Sequence, residues 1–147
     1  MFKHILVATD GSELADKAVS KAIDLATEHQ AELTAFTVVQ RQARSYMEGS
    51  LNRQAEELDR IENERAEHAR TMLEGVEARA RACGVRVNSE MVRSSRVADS
   101  IVAAAGKHGS DLIVMATHGR TGLASAFLGS QTAHVLAHSE VPVLVLR

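Results

Sequence analysis

Cysteine occurs once in the 147 residues, at Cys83, so no disulfide can form within the chain and a reducing compartment suits it. Tryptophan is absent and aromatic residues make up 3%, which removes the stacking platforms on which single strands of nucleic acid are bound. An excess of one charge is lacking too. With 17 Lys and Arg against 19 Asp and Glu, nothing electrostatic favours a nucleic acid or an anionic membrane as partner. No apolar run approaches a membrane-spanning length, and Met1, Phe2, Lys3 and His4 enter a short strand directly instead of a leader. The expectation is a cytoplasmic chain with no nucleic acid and no membrane partner, and 147 residues suit one domain spanning residues 1–147.

What is present is alternation. Residues 5–9 form a short apolar run that reads as a buried strand, followed by Leu14, Ala18, Ala22, Leu25 and Ala26 at helical spacing. Residues 33–39 read as a second strand. A long helix is expected over residues 53–83, with Leu58, Ile61, Ala69, Met72, Leu73, Val76 and Ala80 on one stripe and Gly84 placed to end it. Residues 85–92 alternate like a strand with one wetter face, and Val97, Ile101, Ala104 and Ala105 mark a third helix. Residues 111–115 and 143–146 give the last strands, with a helical run over 132–139 between them. The order βαβαβαβαβ predicts an α/β fold, a doubly wound five-stranded parallel sheet with right-handed crossovers and helices on both faces. Ligands of such sheets bind beyond the carboxyl ends of the strands, where the strand order reverses.

The most informative stretch lies after the fourth strand. Ala116, Thr117, His118 and Gly119 are followed, nine residues on, by Gly129 and Ser130 and then a helix start, so two small-residue turns and a helix N-terminus converge. Free N–H groups and the positive dipole end there suit an anion. A strand, a Gly-x-x-Gly turn, nine residues and Gly-Ser form the pattern of the universal stress protein family. The chain resembles that family over its whole length, from Ile5-Leu6-Val7-Ala8-Thr9-Asp10-Gly11-Ser12 to Val141-Pro142-Val143-Leu144-Val145. Ala116 departs from the pattern, standing where the first Gly is expected; a methyl group fits there only if φ is negative.

The resemblance implies strand order 3-2-1-4-5, ATP as ligand with a role for Mg²⁺, and a homodimer through the C-terminal strand. It places Ala8, Thr9 and Asp10 in the pocket, with Asp10 on ribose hydroxyls or metal. Val38 would meet the adenine edge over a floor of Met115. Ala116 would stand close to the ribose and His118 in the crevice, within reach of phosphate, while Gly119, Gly129, Ser130, Gln131 and Thr132 would hold the phosphates, the glycines by allowing close backbone approach and Ser130 and Thr132 by hydroxyl and N–H donation. Each has a plainer alternative. Asp10 would serve equally as a helix cap with Glu13 three positions on, Val38 and Met115 as core, and His118 as loop.

Neither Gly-x-x-x-x-Gly-Lys-Ser/Thr nor Gly-x-Gly-x-x-Gly occurs, which argues against a P-loop enzyme and a standard dinucleotide fold. Cys83 falls at the amino edge of the sheet, where a buried or inert thiol is expected. His134 and His138 stand i, i+4 with no third ligand in view and read as a solvated face, as do residues 56–70 with their Glu and Arg pairs. Residues 41–54 read as a lid or a connector. Three functions stay open: an ATP-binding sensor or adaptor with a protein partner, a slow ATPase or phosphotransferase using Asp10, His118 or Arg120, and a nucleotide-free dimeric scaffold.

Overall fold

The computed structural model describes residues 1–41, 51–117 and 129–147, with residues 51 and 52 by their backbone. Nine elements follow in order: β1 His4–Ala8, α1 Glu13–His29, β2 Glu32–Gln40, α2 Leu51–Ala82, β3 Val87–Ser94, α3 Val97–His108, β4 Leu112–Ala116, α4 Ser130–His138 and β5 Val143–Leu146. The strands form one sheet in the order β3-β2-β1-β4-β5, with parallel pairing throughout. This is the doubly wound architecture expected, with the implied strand order.

Period-two alternation divides the strands between two cores. Ile5 and Val7 of β1 and Leu33 and Ala35 of β2 pack toward α1 and α2, with Val19, Leu73 and Val76. Leu6, Phe36, Ile113 and Met115 face the other way, onto Ile101 of α3 and Val135 of α4. Ile5, Leu6 and Val7 are fully buried, because β1 sits mid-sheet with helices on both sides. Each such side chain contributes about 1.5–3 kcal/mol by leaving water.

Several boundaries differ from the sequence expectation, two of them for a visible reason. α2 ends in a hydrogen-bonded cap: Gly84, at φ +76, donates to Arg81 O, and Val85 donates to Ala80 O with both Val85 and Ala80 buried. Val85 is therefore the apolar lock of the helix end, and β3 starts two residues later, at Val87. α4 begins at Ser130, two residues earlier than expected, with Gly129 as its N-cap.

From β1 the chain steps outward to β2 and β3, then returns past β1 to β4 and β5. The carboxyl ends of β1 and β4 thus flank the point where the order reverses, and a crevice opens there. Among the described residues no helix is long and apolar enough to cross a membrane.

Candidate functional site

A cleft of about 1010 Å³ lies at that edge of the sheet, over the ends of β1, β2 and β4. At β1 it is lined by Ala8, Thr9 and Asp10. Thr9 is buried; its amide donates to Phe36 O at 2.9 Å and its Oγ1 accepts from the Gly11 amide at 3.2 Å. Asp10 Oδ1 accepts from the Ser12 amide at 2.9 Å, a side-chain turn that leads the chain into α1. The N-cap is Ser12, whose Oγ accepts from the Ala15 amide at 3.2 Å. The capping role offered to Asp10 thus belongs to Ser12, and Asp10 borders the cleft while shaping the turn.

The wall on the α3 side is apolar. Val38 at the end of β2, Val97 and Ile101 of α3 and Met115 of β4 all line the cleft and share one core cluster. Val38 and Met115 are core residues, as the plainer alternative had it, and their outer surface also meets the cleft.

The β4 end and α4 supply the polar wall. Ala116 ends β4, and among the described residues the single non-glycine residue at positive φ is Gln30, so the methyl at Ala116 sits in ordinary backbone. Gly129 has φ −57 and ψ 149, open to any L-residue, yet a Cβ there would lie 2.5 Å from the Thr117 carbonyl oxygen. Its small size serves the close approach of two protein backbones. Ser130 is exposed at the start of α4, and among the described residues no side chain caps this helix N-terminus. Ser130, Gln131 and Thr132 line the cleft, so the first turn, whose N–H groups suit an anion, borders it.

Two side chains at the start of α4 are committed elsewhere, which leaves the expected N–H role of Gln131 untouched. Thr132 is 2% exposed and its Oγ1 donates to Ala116 O at 3.1 Å, tying α4 to the end of β4, so the hydroxyl donation assigned to it is replaced by a structural bond. The Gln131 side chain accepts from the Ala98 amide at 3.1 Å and so caps α3, whose own N-cap, Arg96, makes no side-chain capping bond. Thr117, also lining the cleft, is 4% exposed, and its Oγ1 finds no partner among the described residues. His118 and Gly119, with Arg120 and residues 42–50 of the proposed lid or connector, lie outside the described residues.

Sequence reasoning missed the roof. Arg65, His68, Ala69 and Met72 of α2 line the cleft, although residues 56–70 read as a solvated face. Much of that stretch does pair along its own surface, as Arg60 does with Glu57 and Arg70 with Glu67. The available signal was spacing: carried one turn back, the Ala69 and Met72 stripe reaches Arg65 and His68.

Outside the cleft, His134 Nε2 meets Asp99 Oδ1 at 2.8 Å and stacks on His138, an arrangement that joins α4 to α3. The hydrogen bond from His134, with Arg96 nearby, holds the Asp99 carboxyl below the usual carboxylate range. No group of three or more candidate metal ligands occurs among the described residues. Cys83 is exposed, so of the expected buried or inert thiol the buried alternative is excluded, and it lies at the amino edge of the sheet, outside the cleft lining.

The universal stress protein family model matches residues 1–147. The chain belongs to this family. Universal stress protein MJ0531 of Methanocaldococcus jannaschii is 35% identical over 149 residues, an alignment that covers 100% of this chain and 83% of that protein. The solved universal stress protein UspA from Lactobacillus plantarum superposes with a TM-score of 0.84 at 27% identity, covering 99% of this chain and 97% of the other. A universal stress protein crystallised in complex with cAMP gives 0.72 at 24% identity, covering 99% and 97%, a likeness of fold.

Proposed function

We propose that this universal stress protein binds ATP in the cleft and acts as a sensor or adaptor whose ligand state alters a surface read by a protein partner. The observation that carries the proposal is the convergence, on one crevice, of an apolar wall, a carboxylate and an uncapped helix N-terminus. The apolar wall of Val38, Val97, Ile101 and Met115 fits an adenine. Asp10 fits ribose hydroxyls or a Mg²⁺ held between phosphates. The first-turn amides at Ser130 and Gln131 fit a phosphate, for which the macrodipole adds attraction. The orphan Thr117 hydroxyl, buried beside this wall, also fits a polar ligand. The complex of another family member with cAMP agrees with this chemistry for that protein, while the case for this chain rests on its own cleft.

The bound ligand would supply the signal and the chain the pocket that reads it. A cytoplasmic setting and a dimer through β5 complete the proposal. Mass spectrometry of ligand released from freshly purified protein, followed by calorimetric titration with ATP, tests it. Retained adenine nucleotide or saturable ATP binding is expected, with slow turnover at most. Protein that retains none and gives no heat with ATP would leave the scaffold reading, and brisk steady-state hydrolysis would make the protein an enzyme.

A further inference from the structure

Resting on the nucleotide reading of the cleft, we infer that Arg65, with His68 one turn along α2, is a ligand-binding residue that neutralises phosphate and makes the cleft prefer phosphorylated nucleosides to bare ones. α2 packs on the sheet face of α1, opposite α3 and α4, and its Arg65 and His68 line the same crevice as Ser130 and Gln131 at the α4 N-terminus. Residues i and i+3 share a helix face, which puts Arg65 and His68 side by side on that roof.

Charge and position together single Arg65 out. Arg60, Arg70, Arg79 and Arg81 of the same helix are each paired with a carboxylate, and Arg53, near its start, does not line the cleft. Arg65 pairs with none among the described residues, although α2 is rich in glutamate. Among the described lining residues it is also the one permanent cation, against the single carboxylate of Asp10. Among its described residues the polar wall at α4 offers N–H dipoles and hydroxyls but no full positive charge, while a nucleotide brings several negative ones. A guanidinium supplies what is missing: a planar fork of donors matched to phosphate oxygens, always protonated. His68 adds an imidazole donor next to it.

Calorimetric titration with ATP and with adenosine, on wild type, Arg65→Gln, Arg65→Lys and Arg60→Gln, tests the inference, with circular dichroism confirming that each variant is folded. Arg65→Gln should weaken ATP about tenfold, the scale of one charge-assisted hydrogen bond, and leave adenosine within about twofold. Arg65→Lys should recover part of the loss. Arg60→Gln, away from the cleft and already paired with Glu57, should change neither affinity. An unchanged ATP to adenosine ratio in Arg65→Gln overturns the role of Arg65 while leaving the nucleotide reading in place. Wild type that binds neither compound overturns the reading beneath it.

Discussion

At Gly129 a single methyl group decides whether the wall of the cleft can form. The backbone angles there would suit alanine, so the usual argument from glycine's freedom fails, and the constraint is the Thr117 carbonyl 2.5 Å from where a Cβ would sit. That oxygen accepts from the Gly129 amide at 3.3 Å and, at 3.5 Å, from Thr132 Oγ1, so it cannot retreat without loosening the bonds that join β4 to α4. Gly129→Ala should therefore cost about 1–3 kcal/mol, the range for forcing an atom into a packed site. In a domain of this size each kcal/mol lowers the melting temperature by about 2–4 °C. Gly75→Ala is the contrast: it lies inside α2 with nothing within 4 Å, and should raise stability by roughly 0.5–1 kcal/mol. Thermal melts of the two variants check both signs, and an unchanged melt for Gly129→Ala would mean the two backbones separate freely.

Elements were legible wherever burial is periodic. β1, β2 and β4 show as apolar runs because the sheet is covered on both faces, and α1 and α3 show their alanine and isoleucine stripes. What periodicity does not encode is where elements stop, since Gly84 and Gly129 set those limits through backbone bonds and contacts. Nor does it reveal that Gln131 and Thr132 spend their side chains on α3 and β4, because those partners lie 33 and 16 residues away. Strand order came from the family resemblance, not from the pattern. One polar cluster was invisible for the same reason, under the carboxyl end of α3. Glu90 of β3 receives Lys107 at 2.6 Å and meets His108, while His4 Nε2 meets Thr34 Oγ1 at 2.7 Å. Thr34 gives its proton to Asn88 Oδ1, so it can only accept from His4, which fixes the proton on Nε2. Hydrogen bonds from Lys107 and His108 hold the Glu90 carboxyl below its usual 4.5. Burial first, with His108 adding to it and Glu32 and Asp111 opposing, pushes His4 below its usual 6.5. Both folded values are depressed, so both contributions are present above the unfolded values and are lost as pH falls through the folded ones. The melting temperature should fall from about pH 6.5 downward as His4 charges, then further below about pH 4.5 as Glu90 takes its proton. Glu90→Gln should flatten the second part of that decline; parallel curves for wild type and variant would remove Glu90 as its cause.

Across the whole molecule, the two edges of the sheet differ in a way that bears on assembly. β3 carries Asn88, Glu90 and Arg93, polar groups that blunt an edge against pairing. β5 is four apolar residues, and apart from Met1 the exposed large hydrophobics among the described residues are Leu144 on β5 and Leu136 on α4. An apolar edge strand is the place where a second copy would add, strand to strand about a two-fold axis that makes each contact twice. Val143 and Val145 pack into the core on the α3 and α4 side, so a charge at either would disturb the fold as well as any interface. Leu144, at 38% exposed, separates the two effects. In a two-fold pairing of β5 with itself, Leu144→Asp places like charges across the axis and removes apolar area from both copies at once. Sedimentation velocity should find wild type as a dimer and Leu144→Asp as a monomer with an unchanged circular dichroism spectrum. A variant that still sediments as a dimer would move the interface away from β5, and the polar β3 edge would be a poor second choice for it.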